Sequence, residues 1–188
     1  MTGNIIDKKN EKYVNFYSSP VGKIVMVSDG VYLTHLLFGE YESNHCWYDQ
    51  YTMCESLMVF ETVKQWLDVY FSGQMTTEKS SGLCSKIIIN LEGSDFQLKI
   101  WQLLQEIPYG KTVTYGELAR KYTIQNNIQK MSAQAVGQAV GKNPIAIIIP
   151  CHRVIGSSGR LVGYAGGIEK KEMLLNIEGE NSYGIRQI

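Results

Sequence analysis

Cysteine, histidine and proline are scarce in this 188-residue chain, at four, three and four copies. Long apolar runs are missing: nothing approaches the roughly 18 consecutive residues that a membrane-crossing helix needs. The four cysteines, Cys46, Cys54, Cys84 and Cys151, are irregularly spaced, with no CxxC pair and no cluster with histidine. That pattern gives no disulfide framework and argues against a structural zinc knot, so no metal site is expected and the setting should be reducing and intracellular. The opening stretch MTGNIIDKKNEKYVNF has no apolar core of the kind a signal peptide needs. A soluble, cytoplasmic chain without a membrane partner is the expectation.

An excess of charge is missing too, since 18 Lys/Arg balance 18 Asp/Glu. Overall neutrality argues against strong non-specific binding to nucleic acid. The distribution is less even: residues 1–94 carry 7 Lys/Arg against 11 Asp/Glu, and residues 95–188 carry 11 against 7. Such a split fits a phosphate-facing second half, although mild charge runs of this kind commonly form solvated surface.

With 44% hydrophobic residues the chain can bury a core as one ordinary domain or two small ones. Runs at 13–17, 22–27 and 31–38 are rich in β-formers and separated by Ser-Ser-Pro-Val-Gly and Ser-Asp-Gly, which predicts a hairpin or meander. Leu57, Phe60, Val63, Leu67 and Tyr70 recur at helical spacing and predict a helix over 55–71. A polar stretch, 73–83, and a short apolar run, 87–89, follow. The domain boundary is expected between 85 and 94, dividing the chain into 1–90 and 91–188.

The second half changes period. An apolar stripe from Phe96 to Ile107 predicts a helix over 95–106, capped by Ser94 or Asp95. Thr114, with Glu117 three residues on, suits a capping box opening a short helix over 115–121. A polar loop, 122–130, then leads to a helix from Ser132 to Gly141, packed through Ala133, Val136, Gly137 and Val140. Two short helices joined by a turn are either a helix-turn-helix or simply packed helices, and periodicity does not separate the two. The small residues of the later helix suit close approach to another helix or to a groove wall. The last helix, 168–176, should pack through Ile168, Leu174 and Leu175.

Between them lies Asn143-Pro144-Ile145-Ala146-Ile147-Ile148-Ile149-Pro150-Cys151-His152-Arg153-Val154-Ile155. Two prolines bracket five apolar residues, which predicts a rigid, buried lead-in that fixes where Cys151 points. Most cysteines are inert core residues, and Cys46, Cys54 and Cys84 read that way. Cys151 adjoins His152, which could act on it through an intervening water, with an acidic residue of the last helix setting the histidine tautomer. Several acids there qualify.

NPIAIIIPCHRVI (143–155) resembles the active-site signature of the O6-alkylguanine-DNA alkyltransferases. The similarity continues through GSDFQLKIWQLLQEIPYGKTVTYGELA (93–119), MSAQAVGQAVGKNP (131–144) and GYAGGIEKKEMLLNIEG (163–179). The resemblance implies an α/β (α+β) fold: a ribonuclease-H-like α/β domain, then a mainly helical domain with a helix-turn-helix and the active-site cysteine. It implies that Cys151 accepts an alkyl group irreversibly, that His152 is its base through water, and that Glu178 orients His152. Asn143 takes the hinge position, and Tyr115 that of the tyrosine which aids base flipping and donates a proton to guanine. Tyr164, Ala165 and Gly166 would wall the pocket. Ser132, Gln134, Ala135 and Gly137 belong to a recognition helix laid in the minor groove, with Gln134 where many members have arginine. The implied partner is double-stranded DNA containing O6-alkylguanine, met by a monomer without a cofactor. Two rival readings are a noncatalytic damage-recognition module, which would leave Cys151 unmodified, and a cysteine hydrolase, which would turn over.

Overall fold

The computed structural model describes residues 11–39, 47–76, 82 and 84–179. Cys46, part of the 73–83 stretch and both ends of the expected domains lie outside them. Among the described residues no helix is long and apolar enough to cross a membrane.

Three strands, β1 (Tyr13–Ser19), β2 (Gly22–Ser28) and β3 (Leu33–Phe38), form the expected antiparallel meander. A two-residue strand that the sequence reading did not anticipate, β4 (Thr52–Met53), pairs parallel to β1, giving the order β3-β2-β1-β4. Helix α1 (Met58–Phe71) starts three residues later than the periodicity suggests, with Leu57 at its N-cap. Its buried face is Val59, Phe60, Val63, Trp66, Leu67 and Tyr70.

In the second half, α2 (Asp95–Gln105) opens with a capping box in which Ser94 and Gln97 satisfy each other's backbone N–H groups. After a two-residue strand, β5 (Val113–Thr114), the Thr114–Glu117 capping box opens α3 (Tyr115–Asn126). This helix runs five residues past the expected end, because Tyr122 is buried and its ring packs edge-on against Phe96 at 5.1 Å. Asn127, at φ 49°, terminates it in the left-handed conformation that asparagine tolerates. The linking loop is therefore shorter than expected. Ser132 caps α4 (Ala133–Gly141), accepting from Gln134 N at 3.1 Å and Ala135 N at 3.4 Å. The buried face of α4 is Val136, Ala139 and Val140, so Ala133, expected inside, is exposed. Trp101 Nε1 donates to Ala139 O at 2.9 Å and ties α2 to α4.

Residues 151–153 form a 3-10 turn, followed by β6 (Val154–Ile155), which pairs parallel with β5. This short pairing sets Cys151 beside the start of α3. Helix α5 (Ile168–Ile177) closes the fold and buries Lys171, Leu174 and Leu175, while Ile168, expected inside, is 40% exposed.

The two halves share one core. Buried residues from Val21 to Leu174 form a single cluster, and Leu36 of β3 bridges to Ile145 of the lead-in. The segment carrying Cys151 is thus built against the N-terminal sheet.

Candidate active site

Backbone turns aim the lead-in. Ile147 has φ 67°, a conformation in which its branched side chain crowds the backbone, and Ile148 N donates to Ala146 O across it at 2.8 Å. Pro150, at φ −82° and ψ 63°, makes the mirror-image turn, with Cys151 N donating to Ile149 O at 2.8 Å. Two tight turns in four residues keep the run out of a helix or strand and bring Cys151 to the end of a fixed arm. The Ile147 strain is held by burial, since Ile145 to Pro150 are all buried.

Asn143 fastens that arm. Its Nδ2 donates to Ile149 O at 2.7 Å and to Cys151 Sγ at 3.1 Å, while its Oδ1 accepts from Ile145 N at 3.0 Å. Cys151 is 7% exposed, and burial pushes its thiol above the ordinary value. The Asn143 donor and the Lys171 charge act in the opposite direction, favouring thiolate.

Behind the sulfur lies a polar network. His152 is fully buried, its Nε2 2.8 Å from Glu178 Oε1. Glu178 also accepts from Arg153 Nε and Nη2 at 2.8 and 2.9 Å, from Gly110 N at 3.0 Å and from Tyr70 OH at 2.8 Å. Burial alone would raise the Glu178 carboxyl, but His152 and the Arg153 guanidinium outweigh it and hold the group well below the usual carboxylate range. An ionised carboxylate only accepts, so Nε2 of His152 carries a proton and Nδ1 is the free lone pair of the neutral ring. Nδ1 is buried and has no hydrogen-bond partner among the described residues. Burial lowers the His152 pKa, with Glu178 opposing, and favours that neutral form.

In front of the sulfur is a cavity of about 140 Å3. Asn143, Cys151, Tyr164, Ala165 and Gly166 all line it, as does the C-terminal end of α4 through Val140 and Gly141. Tyr115, the first residue of α3, stands beside this group with its hydroxyl donating to Val162 O at 3.3 Å. Burial raises its phenol pKa, so it keeps its proton at neutral pH. Gly137 presents its Cα to the Tyr115 ring, where a Cβ would sit at 3.6 Å. Ser132 and Gln134 are exposed and Ala135 is half-buried. They occupy the far end of α4, with Gln134 about 10 Å along the helix from Gly141 at 1.5 Å per residue.

Three contributors escaped the sequence reading. Tyr70 appeared only as a core residue of α1, yet its hydroxyl reaches Glu178 and lies 3.5 Å from His152 Nε2. Lys171 is fully buried, its Nζ donating to the carbonyls of Val154 at 2.6 Å and Val162 at 2.9 Å. Its position three residues from Ile168 and three before Leu174 already puts a charge on the apolar stripe, which was the available signal. The third is the far wall of the cavity, supplied by Leu37, Phe38 and Trp47 of the N-terminal half. Cys54 is a half-buried free thiol outside the core clusters, and Cys84 is a half-buried free thiol packed against the main one. Among the described residues no group of three His, Cys, Asp or Glu could hold a metal ion.

Known proteins resemble this chain over most of its length. Residues 95–180 match the family model of the 6-O-methylguanine DNA methyltransferase DNA binding domain, and residues 12–79 that of the same family's ribonuclease-like domain. A methylated-DNA–protein-cysteine methyltransferase of Haemophilus influenzae is 42% identical over 168 residues, covering 88% of this chain and 86% of its own. One of Mycobacterium leprae is 40% identical over 162 residues, covering 85% and 88%. The structure is similar to that of Mycobacterium tuberculosis OGT in complex with DNA, with a TM-score of 0.73 and 38% identity over 88% of this chain and 92% of that one.

Proposed function

The chain belongs to the 6-O-methylguanine DNA methyltransferase family, and from that premise we propose that it repairs DNA by moving the alkyl group of O6-alkylguanine to Cys151. The reaction is direct reversal: a guanine is restored and a cysteine thioether remains. One observation carries the reading, namely a buried thiol on a fixed arm with a cavity before it and a neutral histidine held by a carboxylate behind it.

In this reading the Cys151 proton leaves toward Nδ1 of His152, through a water where the two do not touch. Glu178 stabilises the imidazolium that forms, while Asn143 Nδ2 and the Lys171 charge stabilise the thiolate. The sulfur lone pair forms a bond to the alkyl carbon as the carbon–O6 bond breaks, and that electron pair stays with the guanine. Tyr115, protonated at neutral pH, supplies the proton that neutralises the leaving base. The thioether has no leaving group for a second cycle, so each protein molecule acts once.

O6 lies on the pairing edge of the base, so the nucleotide must leave the stack to reach a buried sulfur. Helix α4 is the recognition helix, with Ala135 and Gly137 allowing close approach in the minor groove. Gln134, exposed about 10 Å along the helix from Gly141, fills the gap left by the flipped base. Tyr164, Ala165 and Gly166 enclose the alkyl group. The protein works as a cytoplasmic monomer, with its DNA-contacting half beginning near residue 91. Counting repaired bases against protein tests the scheme. The plateau should reach one guanine per chain on duplex O6-methylguanine, and continued turnover would refute it.

A further inference from the structure

Burying an ammonium group costs free energy unless its three N–H groups find acceptors. Lys171, fully buried on α5, meets that condition with three carbonyl oxygens: Val154 at 2.6 Å, Val162 at 2.9 Å and Gly163 at 3.4 Å. Leucine or methionine would fill this place on the apolar stripe without that demand. The ammonium is there for the carbonyls.

Those carbonyls belong to two segments. Val154 lies in β6, whose pairing with Val113 and Thr114 of β5 sets the backbone of the next residue, Tyr115. Val162 and Gly163 lie in the loop that leads to the pocket wall. The Val162 side chain is 40% exposed, so its own packing does little to fix the chain there, and among the described residues no backbone N–H donates to either carbonyl. Val162 O nevertheless accepts a second donor, the Tyr115 hydroxyl at 3.3 Å, which also lies 4.0 Å from where a Cβ on Gly163 would sit. One oxygen with two lone pairs thus serves both side chains: Lys171 holds it to β6, and Tyr115 rests its hydroxyl on it.

We infer that Lys171 is a positioning residue for proton delivery: by tying the Val162 carbonyl to β6, it fixes where the Tyr115 hydroxyl waits for the leaving guanine. The inference rests on the alkyl-transfer reading, in which Tyr115 supplies the proton. As the carbon–Sγ bond forms and the carbon–O6 bond breaks, the electron pair goes to the guanine and the phenol proton follows. The tyrosinate left behind regains a proton from water. Lys171 does not line the cavity, so it acts through Val162 and Tyr115. A carbonyl free to swing would let the hydroxyl drift, and a displacement of about 1 Å is enough to slow a reaction about 100-fold.

The test methylates full-length wild type, Lys171→Met, Tyr115→Phe and the double variant with duplex O6-methylguanine and with methyl iodide, reading the mass gain on the Cys151 peptide. Iodide leaves without a proton, so a change in the thiolate slows both reagents and cancels in the ratio of their rate constants. That ratio is expected to fall about 100-fold in Tyr115→Phe, the share a general acid supplies, and about tenfold in Lys171→Met. In the double variant it should be no lower than in Tyr115→Phe, because no hydroxyl is left to position. Independent losses would multiply to about 1000-fold and overturn the inference. An unchanged ratio in Lys171→Met also overturns it, since the lysine would then serve only the thiolate or the fold. Lys171→Gln, which keeps two donors for the carbonyls, takes its place in the cycle if the Met variant does not fold, with a smaller fall expected. A wild type left unmodified by the duplex refutes alkyl transfer itself. A normal ratio in Tyr115→Phe refutes proton delivery by Tyr115, and the role of Lys171 falls with it.

Discussion

Cys151 stands between two environments that differ in nearly every respect. Behind it, Glu178 accepts five hydrogen bonds from Tyr70, His152, Arg153 and Gly110 in a buried cluster. In front, small residues and half-exposed rings surround a cavity in which polar groups are few. The back determines where protons and charge reside, and it is rigid because each buried donor needs its acceptor. The front determines what fits.

The largest expected effect lies at the back. In Glu178→Gln the side-chain amide turns donors toward Arg153 and His152 and leaves the guanidinium buried without its counter-charge. A stability loss of about 3 kcal/mol is expected, read by urea unfolding, together with loss of alkylation. Wild-type stability in the variant would mean that the buried Arg153 guanidinium does not depend on the carboxylate charge.

Acid should expose the same asymmetry. His152 titrates below its ordinary value of about 6.5, so the unfolded chain takes up that proton first and stability declines as pH falls below this point. The Glu178 carboxyl is also depressed, so its contribution is complete above the unfolded value of about 4.3 and fades as pH falls further. Unfolding free energies should therefore drop between pH 7 and about 4.3 in both proteins, at least as steeply in Glu178→Gln where His152 has lost the carboxylate that raises it, and below that point should drop less in Glu178→Gln, which has no carboxyl left to titrate. Parallel curves would contradict the assignment.

Tyr70→Phe keeps the ring and removes one of the five donors. A loss of about 1 kcal/mol is expected, smaller than that of Glu178→Gln by the share of the carboxylate that Arg153 and Gly110 still satisfy. Gln134→Ala, far from both environments, should leave stability unchanged within about 0.5 kcal/mol, as exposed positions do. It should slow alkylation by duplex DNA but not by free O6-benzylguanine, which needs no flipping. Equal slowing on both would show that Gln134 supports the fold instead.

Local signals in the sequence were enough for the helices and for the arm that carries Cys151, whereas Tyr164, Ala165 and Gly166 came from the family resemblance. Capping boxes at Ser94 and Thr114, the cap at Ser132 and the proline-bracketed arm are contiguous patterns whose physics acts within a few residues. Contacts between the halves were not legible. Tyr70 meets Glu178 across 108 positions and Trp47 meets the Cys151 pocket from beyond β3, and neither leaves a mark on local periodicity. The end of α3 was misjudged because Tyr122 sits in a polar stretch and owes its burial to Phe96, a tertiary contact. Ala133 and Ile168 failed for a related reason, since each begins its helix, where the first turn protrudes beyond the packed face.

The front and back environments converge on one sulfur. Reacting the protein with duplex DNA containing O6-methylguanine and mapping the added mass by peptide tests that convergence. One methyl group is expected on the peptide containing Cys151, at one per chain, with Cys54 and Cys84 unmodified. Repair with the methyl group on another residue, or damaged DNA bound while Cys151 stays free, would contradict it.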